Sequence, residues 1–272
     1  MKYRFSKILA SIATIVLFAG SGWAELITLP APELPYAVRY DDFYSYSVDI
    51  LVDAGIIPNE PTGSGTLDLV ILAKNNGIDN DPVSGGLIFE DPLANTGNSD
   101  TYSGNWMCDL DNLLDYLHFF DNNLNTPIFA FDLTEPNNVE DEFLYVSAYM
   151  TVIEDGIVVK GWSLDNTQDG VYNATDKVLA PGELAGFDIN VGSGEADFLV
   201  YAETMNLKEY YGDSAKFNIY MEFSDLKAGG EEVYVSGRFL PYVPPTPVPE
   251  PGTILLFGLG FIGLAGFCRR RG

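Results

Sequence analysis

Cysteine, histidine and positive charge are the three things this chain has least of. Two cysteines occur in 272 residues, Cys108 and Cys268, and there is one histidine, His118. Cys268 sits in an apolar stretch near the C-terminus, so Cys108 has no cysteine to pair with in the rest of the chain. A hydrophobic core, not a disulfide framework, must hold the fold together. Cys108 reads as a small buried hydrophobe. A single histidine excludes two-histidine zinc motifs. No G-x-S-x-G elbow, phosphate-binding loop or C-x-x-C pair is present. Fourteen basic residues face 39 acidic ones, a formal net charge of −25. Such a surface repels nucleic acid and other polyanions, so no nucleic-acid partner is expected. It attracts divalent cations, and it also serves plain solubility.

The scarce positive charge is concentrated at the two ends. Lys2, Arg4 and Lys7 precede an apolar run, Ile8 to Gly20, followed by Gly22-Trp23-Ala24. This is the layout of a secretory signal, with small residues at −3 and −1 for cleavage between Ala24 and Glu25. Residues 1–24 are therefore expected to be a signal peptide, with the Sec export machinery and signal peptidase as partners. At the other end, Pro249-Glu250-Pro251 precedes residues 252–268, which are apolar, and Arg269-Arg270-Arg271 comes next. At 1.5 Å per residue the uncharged run spans roughly 24–26 Å, short for a membrane helix but extended by arginine snorkelling. Residues 252–268 are expected to be a transmembrane helix and 269–272 a basic cytoplasmic stop. Eight of the basic and 38 of the acidic residues lie between residues 25 and 247, so that part is near −30.

Pro-Glu-Pro, apolar helix and basic stop together resemble the PEP-CTERM sorting tail. The resemblance is confined to Pro249, Glu250 and Pro251, the apolar run and the terminal arginines. It implies a Gram-negative exported protein, anchored first in the inner membrane, processed by an exosortase, and placed at the cell surface or in an extracellular matrix, with polysaccharide as a neighbour. An apolar helix that serves only as an anchor is the alternative. A Gram-positive sortase tail would need Leu-Pro-x-Thr-Gly, which is absent.

Residues 25–240 read as an acidic, all-β ectodomain, and the proline-rich residues 241–251 as a stiff spacer. Strands are expected over 48–53, 66–74, 128–133, 143–154, 157–164, 185–191, 197–203, 216–224 and 231–239, with a short apolar stretch at 87–89 and a polar loop over 95–104. Asp155-Gly156 is a hairpin signal. Leu110, Leu113, Leu114, Leu117 and Phe120 fall on one face of a helix, with Asp109 as its N-cap. The fold expected is an antiparallel, jelly-roll-like β-sandwich with this one amphipathic helix.

Asp165 to Asp176 places oxygen-bearing residues Asp165, Thr167, Asp169, Asn173 and Asp176 at positions 1, 3, 5, 9 and 12 of a loop, with Gly170 at 6 and the Val171 carbonyl at 7. That spacing suits calcium, a hard cation needing six to eight oxygens, so calcium is the cofactor expected. The alternative is a hairpin loop of Asx turns that needs no metal. Asp79 and Asp81 form a second, less regular cluster. Asn173-Ala174-Thr175 matches a glycosylation sequon. Trp106, Trp162, Tyr172, Tyr201, Tyr210 and Tyr211 are candidates for a sugar-stacking platform, or for core filling. His118 lies beside the helix stripe, which fits packing better than catalysis. No catalytic residue is singled out, although paired carboxylates could cleave glycans. A structural or adhesive role is the leading expectation, ahead of a carbohydrate-binding module and a glycan-cleaving enzyme.

Overall fold

Residues 216–224 alternate polar and apolar at every step, which dictates a strand with one dry face and one wet face. The computed structural model has it so. It describes residues 26–33, 36–58, 68–73, 80, 86–94, 101–132, 145–165, 167, 169, 171–175, 178–179, 196–212, 214–224 and 232–244. The signal segment, Asp79, Asp81, the expected strand at 185–191 and the tail from residue 245 lie outside the described residues, the expected transmembrane helix among them.

The elements run β1 (Ile27–Thr28), β2 (Ala37–Tyr40), β3 (Phe43–Ser47), α1 (Val48–Asp53), β4 (Leu69–Ala73), β5 (Leu93–Ala94), β6 (Thr101–Asp109) and α2 (Leu110–Phe120). They continue with β7 (Phe129–Asp132), β8 (Tyr145–Glu154), β9 (Ile157–Leu164), β10 (Val178–Leu179), β11 (Phe198–Tyr201), β12 (Lys216–Ser224), β13 (Glu232–Val235) and β14 (Phe239–Leu240). The protein is mostly β-sheet. One sheet has the order β2-β3-β11-β7-β13-β4-β5. A second runs β8-β12-β6, with β9 and β10 both pairing β8, and β1 and β14 form a two-stranded sheet of their own. Most pairs are antiparallel. Two short ones, β4–β5 and β1–β14, are parallel and depart from the antiparallel expectation.

Side chains of both sheets enter one buried cluster. Trp106, Met150, Trp162, Phe217 and Ile219 come from the smaller sheet, Phe43, Ile71, Phe129, Phe131 and Phe198 from the larger. Phe129 and Phe217 stack with centroids 6.4 Å apart. The helix α2 closes this core with Leu110, Leu113, Leu114 and Leu117, the stripe that the spacing predicts. Tyr116, off that stripe, is also buried. Its hydroxyl accepts from Leu69 N–H (3.1 Å) and donates to the Val235 carbonyl (2.9 Å), tying α2 to β4 and β13. Asp109 occupies the N-cap position without a side-chain cap bond, because its carboxylate pairs with Lys216 instead. Gly237 leaves room for the Phe120 ring, which a Cβ there would meet.

A second cluster lies behind the larger sheet, formed by Leu29, Tyr46, Leu51, Val70, Ala130, Leu199, Tyr201, Tyr234 and Phe239. Tyr46 stacks on Tyr201 at 5.9 Å and donates to the Pro30 carbonyl at 2.9 Å. Here the strand expected at 48–53 is corrected: it is the helix α1. Its β-branched residues suggested a strand, yet Val48 and Leu51 stand one helical turn apart and both are buried against this second face.

Other expectations also shift. Residues 101–104, read as loop, belong to β6, whose Trp106 and Cys108 face inward. Residues 87–89 form no strand, and 231–239 is interrupted after Val235. Strands β1 to β3 carried no sequence expectation. The Asp155-Gly156 hairpin is as predicted, with φ of 50° and 78°, the sense of turn that matches strand twist. Edge strand β9 is guarded. Lys160 pairs with buried Val152 and lies 5.5 Å from the Trp162 ring, and Asp42 Oδ2 accepts the Ser163 N–H at 2.9 Å.

Candidate functional site

The outward face of the smaller sheet is fixed by strand register. Across β6, β12, β8 and β9 it reads, row by row, Asp109–Lys216–Ile153–Val158, Met107–Asn218–Thr151–Gly161 and Asn105–Tyr220–Tyr149–Ser163. Two shorter rows complete it, Ser103–Glu222–Ser147 and Thr101–Ser224–Tyr145. The intervening residues are core, so period-two alternation puts this set on the other side.

Three tyrosines gather at its centre. Tyr149 and Tyr220 are direct cross-strand partners. Tyr149 lies across Gly161, where any Cβ would collide with its ring and hydroxyl. Tyr172 stacks on Tyr149 with centroids 5.2 Å apart and meets Tyr220 edge-on at 6.2 Å. The Tyr172 hydroxyl is 3.2 Å from Ser147 Oγ. Burial pushes that hydroxyl up to about 12, the Ser147 bond opposes the rise, and the Glu222 carboxylate adds to it. Tyr220 donates to Glu222, which raises its own pKa. Asn218 Nδ2 donates to Thr151 Oγ1 at 3.3 Å. All three rings are half-buried.

Tyr172 reaches the face because a loop leaves the edge after β9 and returns to it at β10, both strands pairing β8. This is the loop whose oxygen spacing suggests calcium. Asp165 is fully buried. Its Oδ1 accepts from Thr167 N–H (2.9 Å) and Thr167 Oγ1 (2.6 Å), and its Oδ2 accepts from Asn173 N–H (2.8 Å). Asp169 Oδ1 accepts from Val171 N–H at 2.9 Å and from Thr167 Oγ1 at 3.2 Å. Asn173 Oδ1 accepts from Thr175 N–H at 3.2 Å and Thr175 Oγ1 at 2.9 Å. Asp165, Asp169 and Asn173 thus each accept from the amide two residues on, three Asx turns in succession. Asp176 lies outside the described residues. Among the described residues no group of three or more His, Cys, Asp or Glu is placed to hold a metal.

The structure divides the six aromatics expected as a platform. Trp106, Trp162 and Tyr201 are core residues. Trp162 Nε1 donates to Thr204 Oγ1 at 3.2 Å, and Tyr210 packs edge-on against that indole. Tyr211 is exposed but stands apart from the tyrosine cluster on another segment. Only Tyr172 belongs to the outer face. Tyr149 and Tyr220, its actual partners, were legible only as wet-face members of alternating strands. His118 Nε2 lies 3.0 Å from Asn125 Oδ1. Cys108 is buried, and burial pushes its thiol up. Beside the first row, a groove of about 250 Å³ lined by Ile88, Glu90, Met107, Asn112 and the Lys216–Asp109 pair opens at the end of the same face.

The Ala24–Glu25 junction, Pro249, Glu250, Pro251 and Arg269, Arg270 and Arg271 lie outside the described residues. Comparison with known families matches residues 247–271 to the PEP-CTERM protein-sorting motif, the segment containing the Pro-Glu-Pro and arginine elements. No curated protein and no solved structure matches the chain. The chain carries a PEP-CTERM protein-sorting motif at its C-terminus, the mark of an exported, membrane-anchored precursor processed by an exosortase.

Proposed function

We propose that this protein is placed at the cell surface or in the extracellular matrix of a Gram-negative bacterium, where it has a structural or adhesive role and no catalytic one. The observation that carries the reading is the sorting motif at 247–271, a few residues beyond β14, the last strand among the described residues. Residues 241–251 act as the spacer between domain and membrane, and residues 252–268 as the membrane helix. The scaffold is a β-sandwich of the jelly-roll kind, a reading supported by the stacking of Phe129 on Phe217 from different sheets. Signal peptidase and the Sec machinery act at the Ala24–Glu25 junction. A non-catalytic role is supported by the use of polar groups as structural bonds: His118 contacts Asn125, and Asp42 and Asp165 accept backbone amides. Calcium at the 165–176 loop stays a proposal of its own, because a carboxylate oxygen that accepts one amide keeps a further lone pair for a cation.

The test replaces Pro249, Glu250 and Pro251 with alanine and compares intact mass and cell fraction with wild type. Wild type is expected to lose the tail and leave the inner membrane. The variant is expected to insert, keep its full mass and stay. Equal mass and location for the two would make the tail a plain anchor.

A further inference from the structure

We propose that the tyrosine-lined outer face of the smaller sheet binds a neutral polysaccharide, an inference that rests on the exported, matrix-facing reading above and supplies its partner. Three observations converge. The first is charge. Residues 25–247 hold 38 acidic residues. Yet along the five rows of this face only Asp109, Lys216 and Glu222 are charged, and Asp109 is neutralised by Lys216. A solvated sheet face in so acidic a protein would ordinarily share the acid excess. This one is kept almost uncharged, which suits an uncharged ligand, while the field of the rest of the molecule turns polyanions away.

The second is chemistry. A sugar ring presents C–H faces and a rim of hydroxyls. The face offers the Tyr172 and Tyr220 rings for the former, Tyr149 being covered by Tyr172, and amides, hydroxyls and one carboxylate for the latter, in Asn105, Asn218, Tyr220 and Glu222. The third is preorganisation. Tyr149 is pinned over Gly161, Tyr172 is stacked on Tyr149 and held at Ser147, and Tyr220 is bonded to Glu222. Rings already fixed lose little rotamer freedom when a ligand docks. Ser147, Thr151 and Ser163 of the rows are buried, so the accessible part of the face is its β6–β12 side, where Asn105, Met107, Asn218 and Tyr220 lie beside the groove at Met107 and Lys216.

The experiment measures binding of the detergent-solubilised full chain by affinity electrophoresis and calorimetry. The probes are neutral arabinoxylan, galactomannan, dextran and hydroxyethylcellulose, with alginate and hyaluronan as anionic controls. At least one neutral polysaccharide is expected to bind and neither anionic one. Tyr220→Ala and Asn218→Ala should each weaken binding about tenfold or more, the size of losing a ring contact or paired hydrogen bonds. Tyr220→Phe, which keeps the ring, should retain most of it. Val171→Ala, outside the rows, should bind as wild type. Unchanged melting temperatures establish that the variants fold. No binding to any neutral probe, equal binding of alginate, or wild-type binding by Tyr220→Ala overturns the inference. Such a failure with tail processing intact leaves the exported surface role standing, whereas failure of processing overturns that role and not the face.

Discussion

Strand β4 is buried at all five positions, Leu69 to Ala73, whereas β12 is buried at every second one. Both are strands of antiparallel ladders in one chain. The difference lies in how many faces of each sheet are covered. The larger sheet has the shared core in front and α1, β1, β14 and the Tyr46–Tyr201 stack behind, so β4, β7 and β11 have no wet side. The smaller sheet has one apolar face only, so on β12 buried side chains recur at alternate residues. A protein that keeps one sheet entirely for stability is free to use the outer face of the other.

The largest expected effect tests whether the larger sheet has two dry faces. Phe131→Ala, toward the shared core, should cost about 3–5 kcal/mol and Leu199→Ala, toward the second cluster, about 2–5. Asn105→Ala, exposed on β6, should stay within about 0.5 kcal/mol. Urea unfolding gives all three. A cost below about 1 kcal/mol for Leu199→Ala would mean that the second cluster is a cover and not a core.

The next effect concerns the helix that closes the shared core. Leu114→Pro removes an intrahelical hydrogen bond beside a buried side chain, and should cost about 3 kcal/mol or more. Thermal unfolding followed by circular dichroism measures it. A neutral result would mean that α2 is dispensable to the front core.

How much could be read in advance obeys the same division. Where one face is wet, the pattern is explicit: β12 occupies its expected residues, and α2 shows its stripe. Where both faces are dry, a run of apolar residues does not state its period. Val48–Asp53 is the case in point, a β-branched run that folds as α1 because the back of the larger sheet needs a cover. Strand β6 was hidden for another reason. Ser103, Gly104, Asn105 and Asp109 look like loop residues until Trp106 and Cys108 are seen to face inward between them. The candidate face was half legible. Tyr145, Ser147, Tyr149 and Thr151 alternate with core residues, but only register brings Tyr220 beside Tyr149, and only the loop brings Tyr172 over both. The calcium spacing was legible as spacing. What it could not show is that Asp165, Asp169 and Asn173 each also accept the amide two residues on.

That loop gives a third prediction. Asp165→Ala strips the donors Thr167 and Asn173 of a buried acceptor and should cost roughly 2–3 kcal/mol. The same loss is expected in chelator and in millimolar calcium. A loss that grows with calcium, through a stabilisation present only in wild type, would support the metal reading over the turn reading.

The smallest effect compares two buried tyrosines of the front core. The Tyr116 hydroxyl bonds both Leu69 and Val235, so Tyr116→Phe leaves two backbone groups without their partner and should cost about 1–2 kcal/mol. The Tyr40 hydroxyl is buried with no hydrogen-bond partner among the described residues. Tyr40→Phe should therefore fall within about 0.5 kcal/mol of wild type at neutral pH, on the stabilising side. High pH separates the pair further. Burial raises Tyr40 to about 12, above the ordinary tyrosine value near 10. The unfolded chain gives up that proton first, so the contribution to stability is whole below about pH 10 and is lost as pH rises through about 12. Tyr40→Phe should flatten the fall in stability between those limits, read by chemical unfolding alongside tyrosinate absorbance. A Tyr40→Phe variant that loses stability at pH 7, or that leaves the alkaline slope unchanged, would mean that this hydroxyl has a partner or solvent access, and that the front core near β2 is wetter than the back of the same sheet.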